Sequence, residues 1–469
     1  MSMFVSCNSE QGAEDVDVAA LARACYATVV SSTEDSRRVL IEANAEQKQE
    51  IESQANVTLH VNNQYSVAAM HSAILSAAEA TNDKAAGPHP YKFLVESPEG
   101  APISGATVIV SLSEDLKAKA QTDEFGIAHL YLKTEKTGQV AALPRQNYWC
   151  TSVNDASTSE TPRKLIVEPL VLPYEDSLAY FRNKGKSNSK NGKGIKVAVI
   201  DTGVDQHDDL PQLTIKRTVV DGISTEGACD DNHLSHGTHV AGIIAGSRYG
   251  IAPAAELMGY SVFPKDGIRG TAESLDISTA IDFAVDDGAH VINLSLGWQN
   301  PGERDIPVVE SIQRAVEAGV FVVAATGNDG VNCVMFPASL DEVCAVGAVG
   351  ANNKFPGSCT HRFYKDRAAN EEGHFVAHFS NFEEGKVQTA APGLAIVSTT
   401  QTSGYVAMSG TSMATPVLAG LAARLLSDEP SLLMKHGPAR VSALKELLYN
   451  RCDNLGFGSD LVGAGVPNY

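Results

Sequence analysis

From residue 195 to the C-terminus, apolar runs of strand length alternate with segments whose apolar residues recur at helical spacing. The runs are "IKVAVI", "AELMGYSVF", "HVINLSL", "VFVVAA" and "VCAVGAV", and the helical segments include "GTHVAGIIAGS", "SLDISTAIDFAVDDG" and "PVVESIQRAVEAG". Apolar strands that alternate with helices are typical of a parallel sheet covered on both faces. We therefore predict an α/β domain with a doubly wound, mainly parallel sheet flanked by helices, whose chemistry gathers at the carboxyl ends of the strands.

The N-terminal part of the chain has other periodicities. Residues 13–32 and 64–82 are Ala-rich with helical spacing, and the segments between them, "RRVLIEA", "AEQKQEIESQ" and "VTLHV", indicate strand, helix and strand. From residue 91, "YKFLVE", "ATVIVSL", "IAHLYL" and "KLIVEPLVL" are short β-type runs separated by turn signals, which predicts a small all-β sandwich. The predicted organisation is an α+β region at 1–89, a β-sandwich module at 90–172 and the α/β domain at 173–469, with candidate linkers at 83–90 and 182–194.

Composition limits the partners. The chain has 469 residues, 43% of them hydrophobic, and a formal net charge of −20, which argues against nucleic acid and anionic membranes as partners. No secretory signal and no membrane-spanning run is visible, so we expect a cytoplasmic protein with free thiols. None of the eight cysteines has zinc-ligand spacing. Cys333, Cys344 and Cys359 are close enough in sequence to permit a disulfide.

Three polar residues occupy special positions at the ends of predicted strands and helices. Asp201 directly follows an apolar strand, where a carboxylate is costly without partners. His236 precedes Gly237 and an apolar helix, a position that favours the neutral imidazole required of a general base. Ser412 opens another helix after Gly410 and Thr411, and its backbone N–H is one of the unpaired donors of a helix start.

Two other interpretations of these residues are weaker. "DTG" at Asp201 also occurs in pepsin-like aspartic proteases, but those need two such carboxylates and no second copy is present. His233, His236 and His239 are spaced like metal ligands, but Gly and Thr stand where a zinc protease has its glutamate. We expect His239 to be structural and no metal to bind there.

The motifs "DTG", "HGTHVAG" and "GTSMATP", in this order, resemble those of the subtilisin-like serine proteases. The resemblance extends over residues 195–466 through "SLG", "AATGN", "FPASLDEVCAVGAV" and the late "GAG". It implies the subtilisin-like fold, with Ser412 as nucleophile, His236 as general base and Asp201 as the group that orients the imidazole. It also implies that Asn328 supplies the side-chain amide of the oxyanion hole, together with the backbone N–H of Ser412.

The resemblance further implies an extended substrate bound between two edge segments. These are "SLG" and "KDGIRG", and the pocket for the residue before the scissile bond is expected beside them. The implied substrate-binding residues are Ser295, Leu296, Gly297, Gly267, Ile268, Ala324, Ala325 and Gly327. Asp230, Asp231 and Asp329 flank the site, and they are interpreted either as solvated charges or as a preference for basic substrate residues.

No cofactor is expected. The sequence "AGIIAGSRYGIAP" leaves no room for the calcium loop that secreted subtilisins insert after the histidine motif, although structural calcium elsewhere stays open. The insertion "GSCTHRFYKDRAANEEGHF" has no family counterpart and is expected to be a surface loop.

The N-terminal regions leave two roles open. "SPEGAPISGATVIVSL" and "AQTDEFGIAHLYL" resemble transthyretin-like or carboxypeptidase-regulatory-like β-modules. Residues 37–97 allow the β-α-β-β-α-β order of a subtilase propeptide, so the region is expected either to bind and inhibit the catalytic domain or to recruit substrate permanently. The expected function is a processing or regulated endopeptidase acting on proteins or peptides. The alternative is a catalytically silent scaffold on the same fold.

Overall fold

The computed structural model describes most of the chain. The described residues are 3–7, 18–25, 27–33, 38–53, 57–67, 86–113, 116–154, 162–171, 176–182, 191–227, 229–231, 235–264, 271–299, 305–365 and 367–468. The helices in these ranges are α1 (Val18–Ala24), α2 (Ala45–Glu52), α3 (Ser177–Arg182), α4 (His236–Ala245), α5 (Ser274–Asp286), α6 (Ile306–Glu317), α7 (Thr411–Asp428), α8 (Pro430–Leu433), α9 (Pro438–Tyr449) and α10 (Ser459–Val462). None of them combines the length and apolar character needed to cross a membrane.

The N-terminal region folds as one antiparallel sheet with two helices. Its chain order is β-α-β-β-α-β and the strands lie in the order β2-β3-β1-β4. A capping box starts α2, in which the side chains of Asn44 and Gln47 accept from each other's backbone N–H groups at 3.0 and 2.7 Å. The strands are β1 (Met3–Cys7), β2 (Thr28–Ser32), β3 (Arg38–Glu42) and β4 (Val57–Val61).

This arrangement corrects the predicted one. The β-α-β-β-α-β order begins at Met3 and ends at Val61, not at 37–97, and "YKFLVE" belongs to the sandwich. The helix predicted over 13–32 ends at Ala24, because Thr28–Ser32 pairs with β3. In the 64–82 stretch, Gln64–Val67 forms strand β5, and the rest lies outside the described residues.

The second region is a sandwich of two small sheets. One has the order β11-β10-β7-β8 and the other β12-β6-β9, with a shared apolar core that includes Phe93 and Val108. Its first strand starts at Ala86, so part of the linker predicted at 83–90 is strand. The strands are β6 (Ala86–Glu96), β7 (Thr107–Ser111), β8 (Lys117–Gln121), β9 (Ile127–Leu132), β10 (Val140–Leu143), β11 (Thr151–Val153) and β12 (Arg163–Ile166).

The C-terminal region contains the predicted α/β sheet. Its central strands β14, β16, β13, β18, β20 and β21 are parallel neighbours, and β24 also pairs parallel with β21. The remaining strands pair antiparallel at the edges. The strands named so far are β13 (Lys196–Asp201), β14 (Leu213–Val220), β16 (Glu256–Ser261), β18 (Val291–Leu294), β20 (Phe321–Ala325), β21 (Cys344–Ala351) and β24 (Thr389–Pro392).

Smaller strands complete this region. β15 flanks β14, and β23 and β22 follow β21 at the other edge. β17 and β19 pair with β5 of the N-terminal region, β25 with β26 and β27 with β28. Their bounds are β15 (Ile223–Glu226), β17 (Thr271–Glu273), β19 (Leu296–Gly297), β22 (Ala368–Ala369), β23 (His374–Val376), β25 (Ile396–Thr400), β26 (Gly404–Met408), β27 (Cys452–Asp453) and β28 (Val466–Pro467).

Helices cover both faces of the sheet, as the continuous apolar strands predict. Helices α4 and α7 pack on one face, and their residues Val240, Val417 and Leu421 are buried in its core. Helices α5 and α6 cover the other face, where Ile281 and Ile312 are buried. The doubly wound α/β prediction is therefore confirmed, and the carboxyl ends of β13, β18 and β20 lie side by side.

Candidate active site

Asp201 and His236 are brought together at the carboxyl end of β13. Asp201 is its last residue and His236 is the first of α4. His236 Nδ1 lies 2.6 Å from Asp201 Oδ1, and both side chains are 1% exposed. The backbone N–H of Thr202 donates to the same oxygen at 2.7 Å. Because Nδ1 is engaged, the imidazole turns Nε2 away from the aspartate, and Nε2 is buried without a partner among the described residues.

Gly237 makes this approach possible. A Cβ at Gly237 would overlap the Gly203 carbonyl and lie 3.0 Å from the Cβ of Asp201. No side chain fits between the start of α4 and the loop after β13, so glycine is required there for close approach.

Asp231 corrects one expectation. Its carboxylate is buried, not solvated, and accepts hydrogen bonds from Thr202 Oγ1 at 2.7 Å and from Thr238 N–H and Oγ1 at 2.9 and 2.6 Å. Burial raises its pKa to about 7, although these hydrogen bonds oppose the shift. It holds the neighbours of Asp201 and His236 in place and does not face a substrate. Asp230 and Asp329 are exposed, so the preference for basic substrate residues stays a hypothesis for them alone.

Ser412 is the second residue of α7 and is fully buried. Its hydroxyl donates to the Ser295 carbonyl at 2.9 Å and not to His236, while its own carbonyl accepts from Ser295 Oγ at 3.0 Å. The second bond exists because Pro416, four residues on, has no N–H to donate to the Ser412 carbonyl. Pro416 lies in the second turn of the helix, and it frees the carbonyl that accepts the hydrogen bond from Ser295.

Asn328 follows β20 and is aimed by Thr411. Its Oδ1 accepts from the backbone N–H of Thr411 at 2.9 Å and from Thr411 Oγ1 at 3.0 Å. Its Nδ2 is buried and has no partner among the described residues. An amide whose oxygen is held and whose N–H₂ is unused beside Ser412 has the arrangement that an oxyanion donor requires. The site residues Ala324, Ala325 and Gly327 are buried at the end of the same strand.

A strand of the chain's own N-terminal region pairs with one of the two predicted substrate-binding segments, "SLG". Strand β5 pairs antiparallel with β19, with Leu296 opposite Val67 and Gly297 opposite Ser66. On its other side it pairs with β17. The order β17-β5-β19 makes it the middle of a three-stranded sheet. Gly267 and Ile268 precede β17 and lie outside the described residues.

Tyr65 of β5 is held in a pocket with aromatic walls and polar groups at its hydroxyl end. The residue is 0% exposed and its ring lies 6.2 Å from that of Trp298 and 6.3 Å from that of Phe336. Its hydroxyl donates to Asp305 Oδ2 at 2.8 Å. Burial first, and then the Asp305 charge, raise the pKa of this phenol well above its usual value. No sequence motif indicates this pocket, because Tyr65 lies more than two hundred residues from each of these partners in the sequence.

The histidine-based metal interpretation does not fit the structure. His236 Nδ1 is bound to Asp201, and His239 is fully buried with Nε2 facing the carbonyls of Ile396 and Val406 at 3.0 and 3.1 Å. His233 lies outside the described residues. His239 is therefore structural.

A buried Asp–His pair, and a helix-start serine bonded to the residue that follows β18, at the carboxyl ends of a parallel sheet, are typical of serine proteases of the α/β class. The chain belongs to the Subtilase family (peptidase S8), whose model matches residues 192–465. Subtilisin BL and Subtilisin Savinase of Lederbergia lenta are 36% and 34% identical to it over 282 residues, 59% of this chain and 90% of each relative.

A solved structure agrees with this assignment. The chain is similar to the S41 Psychrophilic Protease at 28% identity and a TM-score of 0.52, over 64% of this chain and 99% of that one. The protein is accordingly a serine endopeptidase, a hydrolase of peptide bonds in proteins or peptides.

Proposed function

We propose that Asp201, His236 and Ser412 act as the catalytic triad, with Asn328 in the oxyanion hole. The observation that carries the proposal is the buried Asp201–His236 contact of 2.6 Å, which leaves Nε2 of the imidazole available. In the reaction, the Ser412 hydroxyl leaves the Ser295 carbonyl and turns to Nε2. It attacks the peptide carbonyl while its proton passes to His236.

The rest of the cycle follows from the same groups. Asn328 Nδ2 and the Ser412 N–H would bind the oxygen of the tetrahedral intermediate. His236, charged and stabilised by Asp201, gives its proton to the leaving amine, and an acyl-enzyme remains on Ser412. Water activated by His236 then releases the acyl product. The proposed mechanism draws on protein groups alone, so it includes no cofactor.

We also propose that the N-terminal region inhibits the enzyme until it is removed. The register of β5 supports this role. Val67, the last residue of β5, lies opposite Leu296, which directly follows Ser295, and the carbonyl and hydroxyl of Ser295 are bonded to Ser412. Strand β5 therefore runs toward the nucleophile in the direction proposed for a substrate. We infer cleavage at or next to residue 68.

Contacts outside the groove support the same role. The start of α5 is capped by the N-terminal region: Leu275 N–H donates to Asn62 Oδ1 at 3.1 Å, and Ser274 N–H to the Asn63 carbonyl at 2.9 Å. Arg38 reaches Asp282 of the same helix at 2.9 Å. Because the N-terminal region accepts hydrogen bonds from the N–H groups at the start of α5, next to the groove, it holds β5 in register. These contacts favour inhibition over permanent substrate recruitment, and inhibition is consistent with a regulated protease.

The test compares wild type with Ser412→Ala, using Ser427→Ala as a control serine on the same helix. We expect a fluorophosphonate probe to label wild type and Ser427→Ala but not Ser412→Ala. Intact mass should show that only the two active proteins lose an N-terminal segment ending near residue 68. Absence of labelling in folded wild type whose N-terminal segment is gone would favour the silent scaffold. Labelling of a chain that stays intact would reject the inhibitory role and leave the triad standing.

A further inference from the structure

The β-sandwich module packs through a small apolar interface against the nucleophile loop, residues 404–411, which leads to Ser412. Trp149 and Cys150 of the module share a buried cluster with Val397 and Tyr405 of the β25–β26 hairpin. The backbones are bonded as well, since Asn147 N–H donates to the Tyr405 carbonyl at 2.7 Å. Strand β26 leads through Ser409 and Gly410 directly into α7 and the catalytic serine.

The family-foreign insertion supplies the other half of this interface. Its Cys359 is fully buried, and its sulfur lies 2.6 Å from that of Cys150, 209 residues away in sequence. The backbones beside the two cysteines are also joined, because Ser152 N–H donates to the Ser358 carbonyl at 2.8 Å. Cys359 therefore faces Cys150, and not Cys333 or Cys344 as its sequence position suggested. The insertion is an interface segment and not a plain surface loop.

The insertion also connects the cysteine pair to the nucleophile loop. His361 forms a compact group with the two cysteines. Its Nδ1 lies 2.7 Å from Ser409 Oγ, which accepts the Ala395 N–H at 2.9 Å. The cluster is thus hydrogen-bonded to Ser409, which precedes Ser412 by three residues in the sequence.

We propose that Cys150 and Cys359 form a reversible disulfide that locks the β-sandwich module onto the catalytic domain. A bond between them needs the sulfurs to move to about 2.05 Å, a short shift from where they stand. A zinc ion is a poorer fit, because two thiolates about 2.3 Å from one tetrahedral zinc lie about 3.8 Å apart. Within the described part of the chain, only three groups of metal-ligand type meet here.

The two sulfurs have different surroundings, so Cys150 is assigned the attacking role and Cys359 the resolving role. Burial disfavours the Cys150 thiolate, but the hydrogen bonds from Cys359, His361 and Thr360 and the charge of His361 outweigh it and bring the pKa of Cys150 well below its usual value. Burial keeps the pKa of Cys359 well above its usual value. Cys150 is also 8% exposed whereas Cys359 is fully buried.

The oxidant we assign is hydrogen peroxide, a small molecule, and Cys150 is the more exposed of the two thiols. The Cys150 thiolate attacks one oxygen of hydrogen peroxide, the O–O bond breaks, and Cys150 becomes a sulfenic acid with loss of hydroxide. The Cys359 sulfur then attacks the Cys150 sulfur, and the sulfenic hydroxyl leaves as water with the thiol proton. In sum, two thiols and one peroxide give one disulfide and two waters, and a dithiol reverses the bond by exchange.

The test uses the full chain carrying Ser412→Ala, which removes self-digestion. The protein is reduced with dithiothreitol, divided, and one half is treated with hydrogen peroxide. Both halves are denatured in maleimide and mapped by peptide mass. We expect the peroxide sample to lose two alkylated thiols, to contain a linked peptide pair joining Cys150 to Cys359, and to regain both thiols on reduction.

Two added variants separate this lock from other oxidation. Cys359→Ser should abolish the linked pair, whereas Cys333→Ser, a half-buried control, should leave it unchanged. Oxidation should also raise the thermal midpoint of the parent and of Cys333→Ser but not of Cys359→Ser, because the bond closes a long loop. Full alkylation of both cysteines after peroxide, linkage to a different cysteine, or one equivalent of zinc that is lost in Cys359→Ser would each overturn the proposal.

Discussion

The tyrosine pocket gives a specific prediction about substrate preference. If β5 lies in the groove as a substrate does, a peptide copying residues 62–72, "NNQYSVAAMHS", should be cut by the activated enzyme next to residue 68. Replacing the tyrosine of that peptide, equivalent to Tyr65, perturbs the pocket without touching the folding of the protein. The same peptide offers a control at the position of Ser66, whose side chain is exposed.

The structure sets the magnitude. Tyr65 is 0% exposed, and full burial of an aromatic side chain contributes about 2–3 kcal/mol. The hydroxyl bond to the Asp305 carboxylate adds about 1.5 kcal/mol or more, as charged hydrogen bonds do. Allowing for part of the burial being recovered by rearrangement, alanine in place of tyrosine should cost about 3 kcal/mol, or about a hundredfold in kcat/KM. Phenylalanine, which loses only the hydroxyl bond, should cost about tenfold.

The assay compares kcat/KM for the four internally quenched peptides on one preparation of activated enzyme. We expect kcat/KM to decrease in the order parent, Ser→Ala control, Tyr→Phe and Tyr→Ala. The control should lie within about twofold of the parent, since an exposed side chain contributes little to binding. Cleavage of the Tyr→Ala peptide within about threefold of the parent, well short of the hundredfold worked out above, would refute the reasoning. Cleavage of the parent at a bond remote from residue 68 would refute the register.

The remaining predictions concern the catalytic domain. Asn328→Ala should lower kcat about 10²- to 10³-fold with little change in KM, measured on the same parent peptide. Asp231 has a folded pKa raised to about 7 from 3.8, so ionisation opposes folding and stability should fall as pH rises between those values. Denaturant unfolding should show this decline, about 4 kcal/mol at most, in the wild-type protein but not in Asp231→Asn. An equal decline in both proteins would contradict the assignment. Gly237→Ala should lower the thermal midpoint, because its Cβ meets the Gly203 carbonyl, whereas Gly357→Ala, which meets nothing within 4 Å, should not.

Residues with a local signature could be predicted from the sequence. The α/β sheet followed from continuous apolar strands between helices, and Asp201, His236 and Ser412 stood out because each follows a strand or opens a helix. Asn328 was assigned from its motif, but its orientation could not be, since Thr411 that holds it lies 83 residues further on. Local pattern finds which residue is present, whereas long-range contact decides where its atoms point.

Other features depend on contacts that no local pattern encodes. Asp231 has the sequence context of a solvated charge, and only its bonds to Thr202 and Thr238 make it interior. Strand β5 lies within an Ala-rich stretch of helical spacing, and it is extended because β17 and β19 pair with it from both sides. The N-terminal fold was placed some thirty residues too late because β1 and β2 are short and gain their stability from pairing with β3. In each case tertiary pairing outweighed local propensity.

The two N-terminal regions contact the catalytic domain in different places, and this separates their effects. The first region covers the start of α5 and places β5 between β17 and β19, where we propose that it limits access to Ser412. The β-sandwich contacts the β25–β26 hairpin that leads into α7, so the proposed lock would affect the residues that hold Ser412 in place. Cleavage near residue 68 would release the first region and leave the sandwich in the same chain as the enzyme. We therefore expect removal of the first region and locking of the module to be independent events, and substitutions in β5 should alter inhibition without changing the Cys150–Cys359 contact.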